Sequence, residues 1–151
     1  MLPLDPSFET LAVHAGREEL MDLGVHALPL DLSSTYPIRD LQAGGEALER
    51  MALGGVDKAN PVYSRLYNPT VGRFEEALAK LEGAEAAVAF SSGMAALTAC
   101  LLAAKGKGNH VVAVRPLYGG SDHLLASGLL GLEVTWAEAD GIREALRSDT
   151  C

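Results

Sequence analysis

The stretch Ala86-Ala87-Val88-Ala89-Phe90-Ser91-Ser92-Gly93-Met94-Ala95-Ala96-Leu97 constrains the fold more than any other part of the chain. Ala86 to Phe90 is a short, unbroken apolar run, the pattern of a strand covered on both faces. Ser91 and Ser92 are capping residues for a helix, and Gly93 lets another group come close to the backbone. From Met94 to Ala104 nearly every residue is apolar and helix-forming, which predicts a buried helix with Cys100 as a small hydrophobe inside it. A strand that turns through small residues into a helix leaves N–H groups unpaired at the positive end of the helix dipole. Such a junction suits an anion, usually phosphate. Many α/β proteins carry one that binds nothing, so the purely structural reading stands beside the anion reading. No Gly-Lys-Ser/Thr follows and GxGxxG is absent, which excludes a Walker loop and a dinucleotide fingerprint.

Beyond this helix the pattern repeats. Lys105 to Asn109 is a turn, and its two lysines read as solvated. His110 to Arg115 reads as a second strand, and Pro116 to Ser121 as the loop beyond it. Ser121 is expected to cap a helix over Asp122 to Leu130. Leu132 to Trp136 reads as a third strand, and Asp140 as the cap of a last helix from Gly141 to Arg147. Strand, helix, strand, helix, strand, helix is the signature of a parallel sheet with right-handed crossovers. Ligands in such sheets sit beyond the C-terminal ends of the strands. The Ser91–Met94 turn and the Tyr118 loop both lie there and could face one pocket. With 48% hydrophobic and 5% aromatic residues, the composition suits close helix–sheet packing.

Residues 1–60 read as an arm with little core of its own, and 61–151 as an α/β domain. In the arm, Phe8 to His14 is a short helix stopped by Gly16. Gly24 to Ile38 is extended around Ser33-Ser34-Thr35, and Asp40 to Leu53 holds a helix ending at Gly54-Gly55. Such an arm must wrap over another domain or subunit to be ordered. The start, Met-Leu-Pro-Leu-Asp-Pro-Ser, lacks the pattern of a signal peptide, and no apolar run approaches the roughly 20 residues of a membrane span. Two cysteines and four scattered histidines make neither a disulfide framework nor a metal site. A formal net charge of −8 argues against nucleic-acid and anionic-membrane surfaces. A cytoplasmic setting is expected.

Between arm and sheet lies Asn60-Pro61-Val62-Tyr63-Ser64-Arg65-Leu66-Tyr67-Asn68-Pro69-Thr70. Asn68 is an N-cap and Pro69 fits the first helical position. Val71, Phe74, Leu78 and Leu81 then recur at helical spacing, Glu76 and Lys80 form an i,i+4 pair, and Gly83 closes the helix. If the segment before it is extended, Tyr63 and Arg65 point the same way and could hold a phosphate. As plain surface loop residues they would do nothing.

Tyr63-Ser64-Arg65-x-x-Asn68-Pro69-Thr70, then Ser91-Ser92-Gly93-Met94-Ala95-Ala96, then Tyr118-Gly119-Gly120 resemble the Cys/Met-metabolism enzymes that use pyridoxal 5'-phosphate. That family includes cystathionine γ-synthase, cystathionine γ-lyase and methionine γ-lyase. Thr10 to Gly16 and Ser34-Thr35-Tyr36 fit its N-terminal arm, so the similarity covers essentially the whole chain. The resemblance implies the aspartate-aminotransferase-like, type I fold. It implies that Ser92, Gly93 and Met94 bind the cofactor phosphate. Tyr118 would stack on the pyridine ring and assist proton transfer as the catalytic residue. Tyr63 and Arg65 would reach the cofactor phosphate of a neighbouring identical subunit, in a dimer or tetramer that the arm wraps. An amino-acid substrate is implied, with chemistry at its γ-carbon. Gly120 stands where methionine γ-lyases often carry a Cys, which leans away from that branch and towards a cystathionine γ-synthase or γ-lyase.

The resemblance also implies a gap. Family members are more than twice this length, and their Schiff-base lysine lies beyond the position of Cys151. The carboxylate for the pyridine nitrogen and the arginine for the substrate carboxylate lie there too. None of Lys58, Lys80, Lys105 or Lys107 stands in a matching motif. The expectation is an N-terminal part of such an enzyme, inactive alone and with exposed sheet edges. A non-catalytic phosphate- or partner-binding module, a remnant that does not fold stably, and an enzyme of the methionine γ-lyase or O-acylhomoserine sulfhydrylase type are the alternatives.

Overall fold

The computed structural model describes residues 7–55, 58 and 61–151. Residues 1–6, read above as a start without a leader, and Asn60 lie outside them. Contacts group the chain into two units, one reaching to Ala89 and one from Phe90 to Cys151. The helix that follows Asn68 thus belongs with the segment read as an arm.

In the first unit, α1 (Phe8–His14) starts at Ser7, whose hydroxyl accepts from Thr10 N–H. Gly16 ends the turn after it at φ +75°, and a Cβ there would lie 2.7 Å from the Arg73 carbonyl oxygen. Glycine is needed twice over, for the left-handed backbone and for the close approach. The approach brings α1 onto α3 (Pro69–Glu82). Between them, α2 (Leu41–Ala52) is capped by Asp40 and buries Ala47 and Met51. The expected Glu76–Lys80 pair does not form. Glu76 pairs with Lys58 and Lys80 with Glu18, because partners from other segments reach the same face of α3. Through that contact Lys80 holds the Glu18 carboxyl below its usual range.

Ala86 to Phe90 corrects the sequence reading. It forms no strand, and Val88 and Phe90 are exposed. A strand needs a neighbour for its ladder, and the Ala89 N–H donates instead to Glu75 Oε1 at 2.7 Å.

In the second unit, α4 (Gly93–Ala104) is helical as expected but has no buried residue, and Cys100 is exposed. Apolar composition predicts that a helix needs cover, yet only α5 contacts it appreciably in this unit. β1 (His110–Val114) pairs in parallel with β2 (Glu133–Ala137), His110 opposite Glu133 and Val114 opposite Ala137. The crossover helix α5 (Gly119–Ala126) starts before Ser121, which therefore lies inside it and does not cap it. It stops short of Leu130 because Gly128 turns left-handed at φ +69°. Asp140 caps nothing. It sits in a 3-10 turn (Ala139–Gly141) ahead of the short α6 (Ile142–Ala145), which ends where Leu146 becomes extended. The last residues return to the other edge of β1. Thr150 bridges His110 in parallel, and Cys151 N–H donates to the His110 carbonyl at 3.0 Å. His110 is fully buried, and its Nδ1 and Nε2 share hydrogen bonds with Thr150 Oγ1 (2.7 Å) and Thr135 Oγ1 (2.8 Å). Among the described residues no helix is long and apolar enough to cross a membrane.

Candidate functional site

The site residues fall into two groups, one in each unit. In the first, Thr35 and Tyr63 form an antiparallel bridge. Tyr36 N–H donates to Val62 O at 3.2 Å, and Ser64 N–H to Ser34 O at 3.0 Å. Ser34-Thr35-Tyr36 is thus the backbone partner that positions Tyr63. The chain then turns, Leu66 N–H donating to Tyr63 O at 2.9 Å. The expectation that Tyr63 and Arg65 lie on one extended face is therefore wrong. They meet because the Arg65 guanidinium stacks on the Tyr63 ring, 5.1 Å from its centroid, a cation–π contact. Both side chains are exposed.

Asn68 does more than its expected capping. Its Oδ1 accepts from Thr70 and Val71 N–H (3.0 and 3.2 Å), and its Nδ2 donates to Asp31 O and Tyr36 Oη (both 3.2 Å). Thr70 Oγ1 accepts from Asp31 N–H at 2.7 Å. A hydrogen bond from Ser33 N–H holds the Asp31 carboxyl below its usual range, while burial and then the Asp31 charge raise the Tyr36 phenol. Sequence reasoning missed this network. The signal was the capping Asn itself, whose amide keeps two donors free after its oxygen has capped the helix.

In the second unit, Ser92 caps α4. Its Oγ accepts from Ala95 N–H at 3.1 Å, and its carbonyl from Ala96 N–H at 3.1 Å. Gly93 and Met94 come first in the helix, where N–H groups have no intrahelical acceptor. A Cβ on Gly93 would meet nothing within 4 Å. Met94 also touches the start of α5, next to Tyr118. Ser121 Oγ lies 3.8 Å from Met94 Sδ, and a Cβ on Gly120 would lie 2.7 Å from Tyr118 Cε1 and 3.2 Å from Met94 Sδ. The structure thus brings Met94, Tyr118 and the α4 N-terminus together. Tyr118 is 75% exposed.

A model of the Cys/Met metabolism PLP-dependent enzymes matches residues 9–149. The chain belongs to that family. L-methionine γ-lyase of Streptomyces avermitilis is 57% identical over 150 residues, covering 98% of this chain and 36% of the relative. O-acetyl-L-homoserine sulfhydrylase of Corynebacterium glutamicum is 40% identical over 133 residues, covering 87% of this chain and 29% of the relative. The metY structure from Campylobacter jejuni superposes with TM-score 0.76 at 26% identity. It covers 97% of this chain and 36% of that one, and carries N'-pyridoxyl-lysine-5'-monophosphate at position 205. The chain thus spans about a third of the length of the relatives it matches. The expected type I fold of pyridoxal-phosphate enzymes holds. The residues present fit the family's cofactor: N–H donors open at a helix N-terminus for the phosphate, and an exposed aromatic ring beside them for the pyridine.

Proposed function

We propose that this chain forms the phosphate-holding part of a pyridoxal-phosphate enzyme that acts at the γ-carbon of a sulfur amino acid. C–S cleavage of methionine is the best-supported reaction. The observation that carries the reading is the open α4 N-terminus, with Gly93 facing free space and Met94 against the start of α5 beside Tyr118. The relatives' names support the reaction class, and the methionine γ-lyase reading draws on the 57% identity.

The cofactor, when bound, supplies an electron sink next to the substrate's reacting carbon. The Gly93 and Met94 N–H groups and the Ser92 hydroxyl hold its phosphate, with charge-assisted hydrogen bonds roughly twice as strong as neutral ones. Tyr118 covers the ring and holds or moves a proton at its hydroxyl. Tyr63 and Arg65 serve the phosphate site of a second copy of the chain, the Arg fork suiting two phosphate oxygens. This gives the segment before residue 61 its role as a wrapping arm. Lys58, Lys80, Lys105 and Lys107 take no part, and these 151 residues alone turn nothing over.

The test uses the full protein loaded with pyridoxal phosphate. Reduction with borohydride followed by peptide mapping should leave all four of these lysines unlabelled. Tyr118→Phe should slow turnover of L-methionine by about 10²-fold or more, within the roughly 10²–10⁴-fold range of positioned proton transfer. Labelling at any of the four lysines, or unchanged kinetics in Tyr118→Phe, overturns the assignment. Turnover of O-acetyl-L-homoserine with sulfide in place of methionine cleavage would move the protein to the sulfhydrylase branch.

A further inference from the structure

We infer that Arg115 is a positioning residue for Tyr118, clamping both ends of the loop that carries it; the inference rests on the proposed role of Tyr118 at the cofactor. The loop needs such a device. α5 begins at Gly119 with Tyr118 in the capping position, and no side chain accepts from its first N–H groups. Its first two residues are both Gly, the residue that loses most conformational freedom on ordering. Capping residues give other helix starts their direction, and here that source is missing.

Arg115, the first residue after β1, supplies the connection. Its Nε and Nη2 both donate to Asp122 Oδ1, at 2.9 and 2.7 Å, in the first turn of α5. The guanidinium lies 3.8 Å from the centroid of the Trp136 ring near the end of β2. One planar group therefore ties the end of β1, the start of α5 and the end of β2. Tyr118 lies between the two tied residues, and its carbonyl accepts from Asp122 N–H at 3.0 Å. The backbone on both sides of Tyr118 is thus tied while the residue stands 75% exposed. Gly120 completes the arrangement, since a Cβ there would strike the ring. Fork and stack together need arginine, because a lysine ammonium offers neither plane nor fixed fork. The pair is partly exposed, at 52% and 32% of the two side chains, so it adds little to stability. Its effect is on geometry.

The test is a double-mutant cycle in the full protein, read by the affinity for pyridoxal 5'-phosphate from absorbance titration, with thermal melts as a control on folding. Arg115→Ala should weaken binding about fivefold, within the range of coupling energies for contacting residues. In a Tyr118→Ala background the same change should cost nothing further. Arg115→Lys should not restore affinity. A general structural role would cost the same in both backgrounds, and that result overturns the inference, as does wild-type affinity in Arg115→Ala. If Arg115→Ala does not fold, Asp122→Ala opens the same clamp from α5 and is judged by the same cycle. A wild-type protein that binds no pyridoxal phosphate overturns the proposed function itself, whereas binding without coupling overturns the clamp alone.

Discussion

Helices α3 and α4 both open on a capping side chain, yet one N-terminus is closed and the other open. At α3, Pro69 has no N–H, and the next two N–H groups both donate to Asn68 Oδ1. The rest of the Asn68 side chain is bonded to Asp31 and Tyr36. At α4, Ser92 Oγ takes only Ala95 N–H, and among the described residues Gly93 and Met94 N–H have no partner. The flanking glycines repeat the difference. A Cβ on Gly72 in α3 would lie 2.5 Å from the Tyr67 ring, whereas one on Gly93 meets nothing within 4 Å. The same local device thus has two outcomes, anchoring a segment where every donor is consumed and leaving donors open, as the proposed phosphate site requires, where they are not.

The largest expected effect comes from adding one methyl group at each glycine. Gly72→Ala should destabilise by about 2 kcal/mol, within the usual cost of overpacking, because the half-buried Tyr67 ring must move. Gly93→Ala should leave the stability unchanged or raise it by up to about 0.5 kcal/mol, since Ala favours a helix over Gly. It should nevertheless weaken pyridoxal phosphate binding about tenfold by crowding the phosphate. Equal losses of stability in the two variants would erase the contrast between the ends.

Next come the caps. Asn68→Ala should cost about 2 kcal/mol in a urea titration, at the upper end for a lost N-cap. Ser92→Ala should cost about 0.5 kcal/mol, because it frees a single N–H. A larger loss at Ser92 than at Asn68 would reverse the reading of which end is structural.

The smallest effect is one of pH. The Asp31 carboxyl titrates below its ordinary value in the folded chain, held there first by Ser33 N–H. A depressed carboxylate pKa contributes stability above the unfolded value of about 3.9, and loses it as pH falls through the folded value. Asp31→Asn should therefore lower stability slightly at pH 7, leave it nearly unchanged at pH values below the folded one, and so flatten the profile below about pH 4. An equal loss at acid and neutral pH would show that Asp31 works through packing.

What was legible in the sequence follows from whether a signal is local. The Asn68-Pro69 start, the Gly83 end and the Ser92 cap came through, because a cap involves residues only a few positions apart. The β1 and β2 strands were placed to within a residue, since β-branched runs between turns are also local. Burial was misread. The apolar run at Ala86–Phe90 and the apolar helix α4 state only a demand for cover, and whether cover exists depends on elements far away in the chain. Tyr63 and Arg65 were expected on one extended face, but a turn replaces the extended segment and the guanidinium stacks on the ring instead. Arg115 went unread, since its partners Asp122 and Trp136 lie 7 and 21 positions away and form no motif.

His110 carries a consequence for the order in which the second unit can assemble. Its ring joins Thr135 across 25 residues and Thr150 across 40. Closing the longer loop from an open chain costs only about 0.4 kcal/mol more than the shorter, less than a typical net hydrogen bond. Connectivity alone thus barely ranks the two closures. Once the first is made, the second needs to search only the short stretch from β2 to Thr150. A side chain at the first position of β1, with an acceptor or donor on either side, therefore lets the final return of the chain follow from the pairing before it, as a latch follows a hinge.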